Sequence, residues 1–296
     1  MRTLPFLWLD VFGDRPFTGN PLCVFLDGAD LSDEEMQALA RETNLSETTF
    51  VLPPTQAGAT YRNRIFTPGG ELAFAGHPTL GTCAALALVG RITGQIAVQE
   101  TRSGLTPVEL LYSGDTIDRV VMEAPTPVLV QAPDPERVAR TLGLSTAQVT
   151  AGGLRPEVIA SGVQHLVVPL ASPELLAGLK PDVGALTELS RELGVIGLYP
   201  FALLRAGAAA HARARLFAPL YGIPEDAATG SAATPLGAYL AWHDLMPAGS
   251  NNFWYEQGVE MGRPSRLWVA VTGDGEDRKV RVGGQVRLVG QGEFHL

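Results

Sequence analysis

Short alternations of apolar and polar residues run through this chain, and turn residues break them before they grow long. Phe6 to Phe12 alternates as a strand does, Gly19-Asn20-Pro21 is a turn, and Leu22 to Leu26 makes a second strand. Ser32-Asp33-Glu34-Glu35 is a capping box. Met36, Leu39 and Ala40 follow at helical spacing, which predicts a helix running to about Thr43. Thr48 to Leu52 and Tyr61 to Phe66 read as strands. From Pro78 to Val89 the residues are small and apolar on every face and Gly90 closes the run, the pattern of a buried helix. Ile96 to Gln99, Val108 to Tyr112 and Ile117 to Met122 are short strands.

The second half is patterned in the same way. Strands are predicted near Val163 to Val168, Gly197 to Leu204, Ala212 to Phe217, Trp254 to Glu256, Leu267 to Val271, Lys279 to Val282 and Val286 to Leu288. Helices are predicted near Val183 to Leu193 and from Ala233 to Trp242. Strands outnumber helices by more than two to one, so the class is α+β with mostly antiparallel pairing. Pro125, Pro127, Pro133 and Pro135 cluster near the midpoint and mark a linker. The domains expected are 1–126 and 127–296, with the final strand near Val286 free to return to the first.

The two halves echo each other. Arg64-Ile65-Phe66-Thr67-Pro68 is matched by Arg215-Leu216-Phe217-Ala218-Pro219, 151 positions later. Beyond each lies an acidic loop, then a glycine with a polar residue (Gly76-His77 and Gly230-Ser231), then a helix of small residues. Coincidence in a Gly/Ala-rich sequence is the alternative to two related domains. A glycine at a helix start leaves backbone N–H groups open, and the helix dipole adds positive partial charge there. Two such starts facing a shared cleft would bind a small carboxylate from both sides.

Charge and composition narrow the classes. With 22 Lys and Arg against 31 Asp and Glu the formal charge is −9, which argues against sequence-independent nucleic-acid binding and against an anionic membrane surface. The 33 glycines and 22 prolines fit a fold rich in turns. No apolar run reaches the roughly 18 residues of a membrane span. The first ten residues resemble a signal peptide, but the apolar stretch is too short and no cleavage site precedes Asp10, so they are expected to form a strand. Two cysteines, Cys23 and Cys83, make no disulfide framework; a cytoplasmic protein with free thiols is the expectation.

Four residues are candidates for chemistry. His77 stands at one helix start, where the dipole disfavours its charged form. Asp226 and Ser231 flank the other, where each alone reads first as a helix cap. Glu47 lies in Asn44-Leu45-Ser46-Glu47-Thr48, between a helix and a strand. Such a Glu is most often solvated, but beside apolar walls its pKa would rise and it could serve as a general base. There is no Gly-x-Gly-x-x-Gly after a strand, no Walker loop, no Gly-x-Ser-x-Gly elbow, and no metal-ligand spacing among His77, His165, His211, His243 and His295.

At these residues the sequence resembles the PhzF family, named for the isomerase of phenazine biosynthesis. Four segments carry the resemblance: Asp10-Val11-Phe12 with Phe17 to Pro21; Asn44 to Thr48; Arg64 to Pro68 with Glu71 to Gly81; and Phe217 to Pro219 with Glu225 to Ala232. The family pattern has proline where Ala73 and Ala227 stand here, which bears on loop rigidity and removes no functional group. The resemblance implies the diaminopimelate-epimerase-like fold: two pseudo-symmetric domains, each an antiparallel sheet curled around a central helix. The related epimerases use two cysteines at the helix starts, and the matching places here hold Ala75 and Thr229. The resemblance therefore implies one-base proton transfer between carbons of a small carboxylic acid, with Glu47 as acid and base in an interdomain cleft. His77, Asp226 and Ser231 would surround the substrate, and Gly76, Thr229 and Gly230 would bind it. It further implies no metal or organic cofactor, and a homodimer. Two other readings stay open: a hydrolase using Ser231, His77 and Asp226, and a non-catalytic binding or interaction protein that keeps the fold.

Overall fold

A computed structural model of the chain describes residues 2–273 and 277–296. The chain divides into two compact units, Met1–Glu123 with Gly283–Leu296, and Ala124–Val282. No helix among the described residues is long and apolar enough to cross a membrane.

In the first unit β1 (Thr3–Val11) pairs antiparallel with β2 (Asn20–Phe25) and with the closing strand Val286–His295. α1 (Asp33–Thr43) then crosses over to β3 (Thr48–Leu52), which lies parallel to β2. Ser32 and Glu35 form the predicted capping box at its start, and Met36, Leu39 and Ala40 are its buried face. β4 (Tyr61–Thr67) pairs antiparallel with β3 and turns into the short β5 (Gly70–Leu72). After α2 (Gly76–Leu88) come β6 (Ile96–Thr101), β7 (Gly104–Ser113) and β8 (Thr116–Glu123), with β6 parallel to β4. Strands β1 to β4, β6 to β8 and the closing strand all contact α2. The helix is buried from Gly76 to Leu86, which explains why its sequence is apolar all round. Small residues are needed for this closeness: a Cβ on Gly81 would stand 2.5 Å from a Leu22 methyl and 2.7 Å from one of Val11.

The second unit repeats the plan. β9 (Val128–Gln131) falls inside the expected linker and α3 (Pro135–Thr141) begins at its last proline: Pro135 takes the first helical position, where its missing N–H is harmless, and Asp134 caps it. α4 (Thr146–Val149) leads to β10 (Glu157–Ser161) and β11 (Val163–Pro169), then α5 (Pro173–Ala177), α6 (Val183–Leu193) and β12 (Gly197–Leu203), parallel to β11. β13 (Ala212–Ala214), β14 (Leu216–Ala218) and β15 (Ile223–Asp226) precede the central helix α7 (Gly230–Trp242). β16 (Asn252–Gln257), parallel to β13, is followed by β17 (Ser265–Thr272), β18 (Lys279–Gly284) and the closing strand, β19. Pairing among the described residues is thus mostly antiparallel, with parallel pairs β2–β3 and β4–β6 in the first unit and β11–β12 and β13–β16 in the second. Both central helices begin earlier than the periodicity predicts, at Gly76 and Gly230, because glycine and polar residues carry no apolar signal.

Candidate active site

In the first unit the site is built where α1 hands over to β3. Asn44 ends the helix in the left-handed conformation (φ 51°) with its N–H on the Ala40 carbonyl at 3.2 Å, a geometry asparagine accepts more readily than most residues. The turn is then braced twice. The Thr43 and Thr48 hydroxyls lie 2.6 Å apart, and Ser46 Oγ donates to Asn20 Oδ1 at 3.3 Å. Glu47, held between these braces, directs Oε2 at His77 Nδ1, 3.5 Å away. The two side chains are only 13% and 5% exposed. Oε2 has no hydrogen-bond partner among the described residues. A carboxylate that has lost more from water than it gains from donors resists ionisation: burial pushes the Glu47 pKa up to about 7, the Ser46 hydroxyl offsetting part of the rise.

His77 sits at the second position of α2. Ala75, in extended conformation before the helix, offers no side-chain cap. Pro78 has no N–H, and the Thr79 amide donates to the Ala75 carbonyl at 3.3 Å, so the helix start presents the amides of Gly76 and His77. Gln99 supports it from behind. Its Oε1 accepts from Asn63 Nδ2 at 2.9 Å, and its Nε2 donates to Thr79 Oγ1 at 2.8 Å.

The second unit's candidates are held by a tighter network. Thr229 precedes α7 in extended conformation, and its hydroxyl donates to Asp226 Oδ2 instead of capping the helix. Gln257 fixes this corner: its Nε2 donates to the Asp226 carbonyl at 2.9 Å and to Thr229 Oγ1 at 3.0 Å. Its Oε1 accepts from the Thr229 amide at 3.2 Å and from the Tyr199 hydroxyl at 2.7 Å. The Tyr199 hydroxyl in turn lies 2.9 Å from that of Tyr255. Burial raises the pKa of both tyrosines, so both remain protonated. Ser231, one residue into the helix after Gly230, has its Oγ 3.2 Å from His165 Nε2.

His165 and Gln257 are the residues that sequence reasoning missed. The available signal was a polar residue inside an apolar strand, Val163–Pro169. The imidazole at Ser231 is that of His165, whose Nδ1 has no partner among the described residues, so no carboxylate completes a relay. Within the first unit, His77 faces Glu47. Cys23 and Cys83 are free, buried, and pushed by burial to about 12, which suits packing and not base catalysis. Among the described residues no group of three or more His, Cys, Asp or Glu is placed to hold a metal ion.

Comparison with known proteins agrees with the fold. The family model described as "Phenazine biosynthesis-like protein" (PhzC-PhzF) matches residues 9–292. A Pseudomonas aeruginosa protein named trans-2,3-dihydro-3-hydroxyanthranilate isomerase is 42% identical over 290 residues, covering 97% of this chain and 98% of that one. The crystal structure of a PhzF-family phenazine biosynthesis protein from Bacillus anthracis superposes with a TM-score of 0.89 at 27% identity, over 100% of both chains. A predicted epimerase from Pseudomonas aeruginosa superposes with a TM-score of 0.82 at 34% identity, over 98% of this chain and 99% of the other.

Proposed function

The chain belongs to the phenazine biosynthesis-like PhzC-PhzF family and is an isomerase, and we propose that it moves a proton between two carbons of one small unsaturated carboxylic acid, with Glu47 as both acid and base. The observation that carries the proposal is the Glu47 carboxyl: buried, with Oε2 unpartnered among the described residues and a pKa of about 7. A group of that pKa is comparably populated in both forms at neutral pH, so it can take a proton and return it. In the first step a C–H bond breaks, the proton passes to Glu47, and the electron pair spreads into the conjugated acid. In the second a different carbon of that system takes the proton back. Donor and acceptor are one carboxyl, so the reaction as proposed needs no metal or organic cofactor.

The remaining roles follow from the same chemistry. His77, 3.5 Å from Oε2, steers the Glu47 proton. The helix-start amides at Gly76 and Gly230, with Thr229 and Ser231, bind the substrate carboxylate, and Asp226 orients its polar substituents. The substrate proposed is a cyclic, unsaturated acid of the kind named for the 42% identical relative, trans-2,3-dihydro-3-hydroxyanthranilate. A protein that only binds its ligand has no use for a desolvated carboxyl poised near neutrality.

The test is proton exchange in D2O, followed by NMR, with that acid and a panel of small cyclic and unsaturated acids, using Glu47→Gln as control. Loss of carbon-bound protons that requires Glu47 is the expected result. Exchange unaffected by the substitution would assign the base elsewhere, and no exchange across the panel would favour a binding protein.

A further inference from the structure

Three facts meet at His165, none of which the proton transfer itself uses. Its side chain is wholly buried on β11, it meets Ser231 Oγ at 3.2 Å through Nε2, and its Nδ1 finds no partner among the described residues. Burial also drives the imidazole pKa down to about 4, so the ring is neutral at any working pH and carries one proton. That proton has two possible homes. On Nδ1 it would be a buried N–H with no acceptor among the described residues, which proteins avoid more strictly than an idle acceptor. On Nε2 it is spent in the bond to Ser231, and only a lone pair is left unused.

We propose that His165 is a positioning residue of the substrate-binding site, held as the Nε2–H tautomer so that it donates to Ser231 Oγ and turns the serine's own proton outward to the substrate. A hydroxyl has one proton and two lone pairs. With one lone pair occupied by the imidazole N–H, the proton of Ser231 is free to be donated outward, and beside the α7 start it adds a polar hydrogen to the amides there. The opposite tautomer would make Ser231 donate inward and leave only lone pairs facing the ligand, which would repel a carboxylate. The ring thus fixes the sign of the serine's interaction without touching the substrate. The substrate part of this inference rests on the function proposed above; the tautomer part does not.

The first experiment reads the tautomer in the free enzyme. In a long-range 1H–15N spectrum of uniformly 15N-labelled protein, with His165→Gln to assign the signal, the His165 ring should show a protonated Nε2 and a bare Nδ1, unchanged from pH 5.5 to 8. A protonated Nδ1, or a ring that titrates in that range, overturns the proposal whatever the enzyme's substrate is. The second reads the consequence with trans-2,3-dihydro-3-hydroxyanthranilate. His165→Leu should raise KM about tenfold with kcat changed less than threefold, Ser231→Ala should do the same, and the double variant should be no worse than either. His165→Gln, whose amide N–H replaces Nε2–H, should restore most of the loss. Additive effects of the two single substitutions, or a Gln variant as poor as the Leu variant, would show that His165 only packs. If no acid is turned over, titration with anthranilate gives the same comparison through its dissociation constant.

Discussion

The segments around Arg64 and Arg215 share a scaffold and differ in what the scaffold holds. Each arginine makes a two-pronged bond to a carboxylate on the next short strand, Arg64 to Glu71 and Arg215 to Glu225, all four contacts at 2.8 Å. Each guanidinium also lies over the phenylalanine two residues on, at 5.1 Å and 4.9 Å. In both units the pinned strand leads into the glycine start of a buried helix. The strands beside them are in matching register: Thr48 pairs with Phe66 and with Cys23, and Leu198 pairs with Phe217 and with Leu166. Glu47 and Gly197 are therefore equivalent positions, each three residues past a left-handed helix end, Asn44 and Gly194. At one the chain carries a buried, underbonded carboxyl. At the other a Cβ would stand 2.4 Å from the Phe217 carbonyl oxygen, so no side chain fits at all. Repetition built the frame twice, and a single position separates a half with room for an acid–base group from a half without it.

The largest test of that contrast is Glu47→Gln, which keeps the shape and removes the transferable proton. Turnover should fall about a thousandfold, within the range general acid–base catalysis supplies, while affinity for the substrate acid, measured by titration, changes less than threefold. Equal losses in binding and turnover would mean that the carboxyl holds the substrate instead of moving its proton. The complementary change is Gly197→Ala. The methyl group has to displace backbone, and the cost should be about 3 kcal/mol in urea unfolding, at the upper end for overpacking. A cost under about 1 kcal/mol would mean the second half could accept a side chain there, and the asymmetry would need another cause.

The two arginines sharpen the comparison at smaller scale. Arg215 also donates to the Leu176 and Leu179 carbonyls at 3.0 and 3.1 Å, and is 9% exposed. Arg215→Ala leaves Glu225 and both carbonyls without that donor and should cost about 3 kcal/mol. Arg64→Ala should cost about half as much. Glu71 keeps Arg102 at 2.9 Å, and the other partner, Asp33, is 81% exposed. Equal costs would show that the frame's stability does not depend on these second partners.

How much of this was legible beforehand follows from what kind of signal each feature leaves. The central helices, the capping box and the Arg-x-Phe-x-Pro echo are local patterns, and Glu47, His77, Asp226 and Ser231 stand in short motifs that could be quoted from the chain. Gln257 and His165 act through space, from strands whose periodicity says only that they are buried. Nothing near Thr229 or Ser231 in sequence announces them. The periodicity does not mark strand Glu157–Ser161, which follows a loop rich in glycine and proline, or Val128–Gln131, which prolines flank. Parallel pairing escaped for the same reason as the glutamine: partners brought together by a crossover helix carry no mark in a local window. The equivalence of Glu47 and Gly197 needed the register of two sheets, which no periodicity supplies.

The last test sets one buried ionisable group of each half against the other. Burial raises Glu47 from 4.5 to about 7, so the folded chain holds that proton more tightly than the unfolded one; the stability this contributes is full below pH 4.5 and is lost as pH rises to about 7. Burial lowers His165 from 6.5 to about 4, so its contribution is full above pH 6.5 and is lost as pH falls to about 4. Shifts of this size convert to about 2 kcal/mol each between pH 5 and 8, with opposite signs. The two nearly cancel in the native chain. Removing one should expose the other: in urea unfolding across that range, Glu47→Gln should gain stability with rising pH relative to wild type, and His165→Gln should lose it, by about 2 kcal/mol in each case. Variants whose slopes match wild type would mean that neither group is desolvated as described, and the proposed acid–base role of Glu47 would lose its physical basis along with the neutral ring at His165.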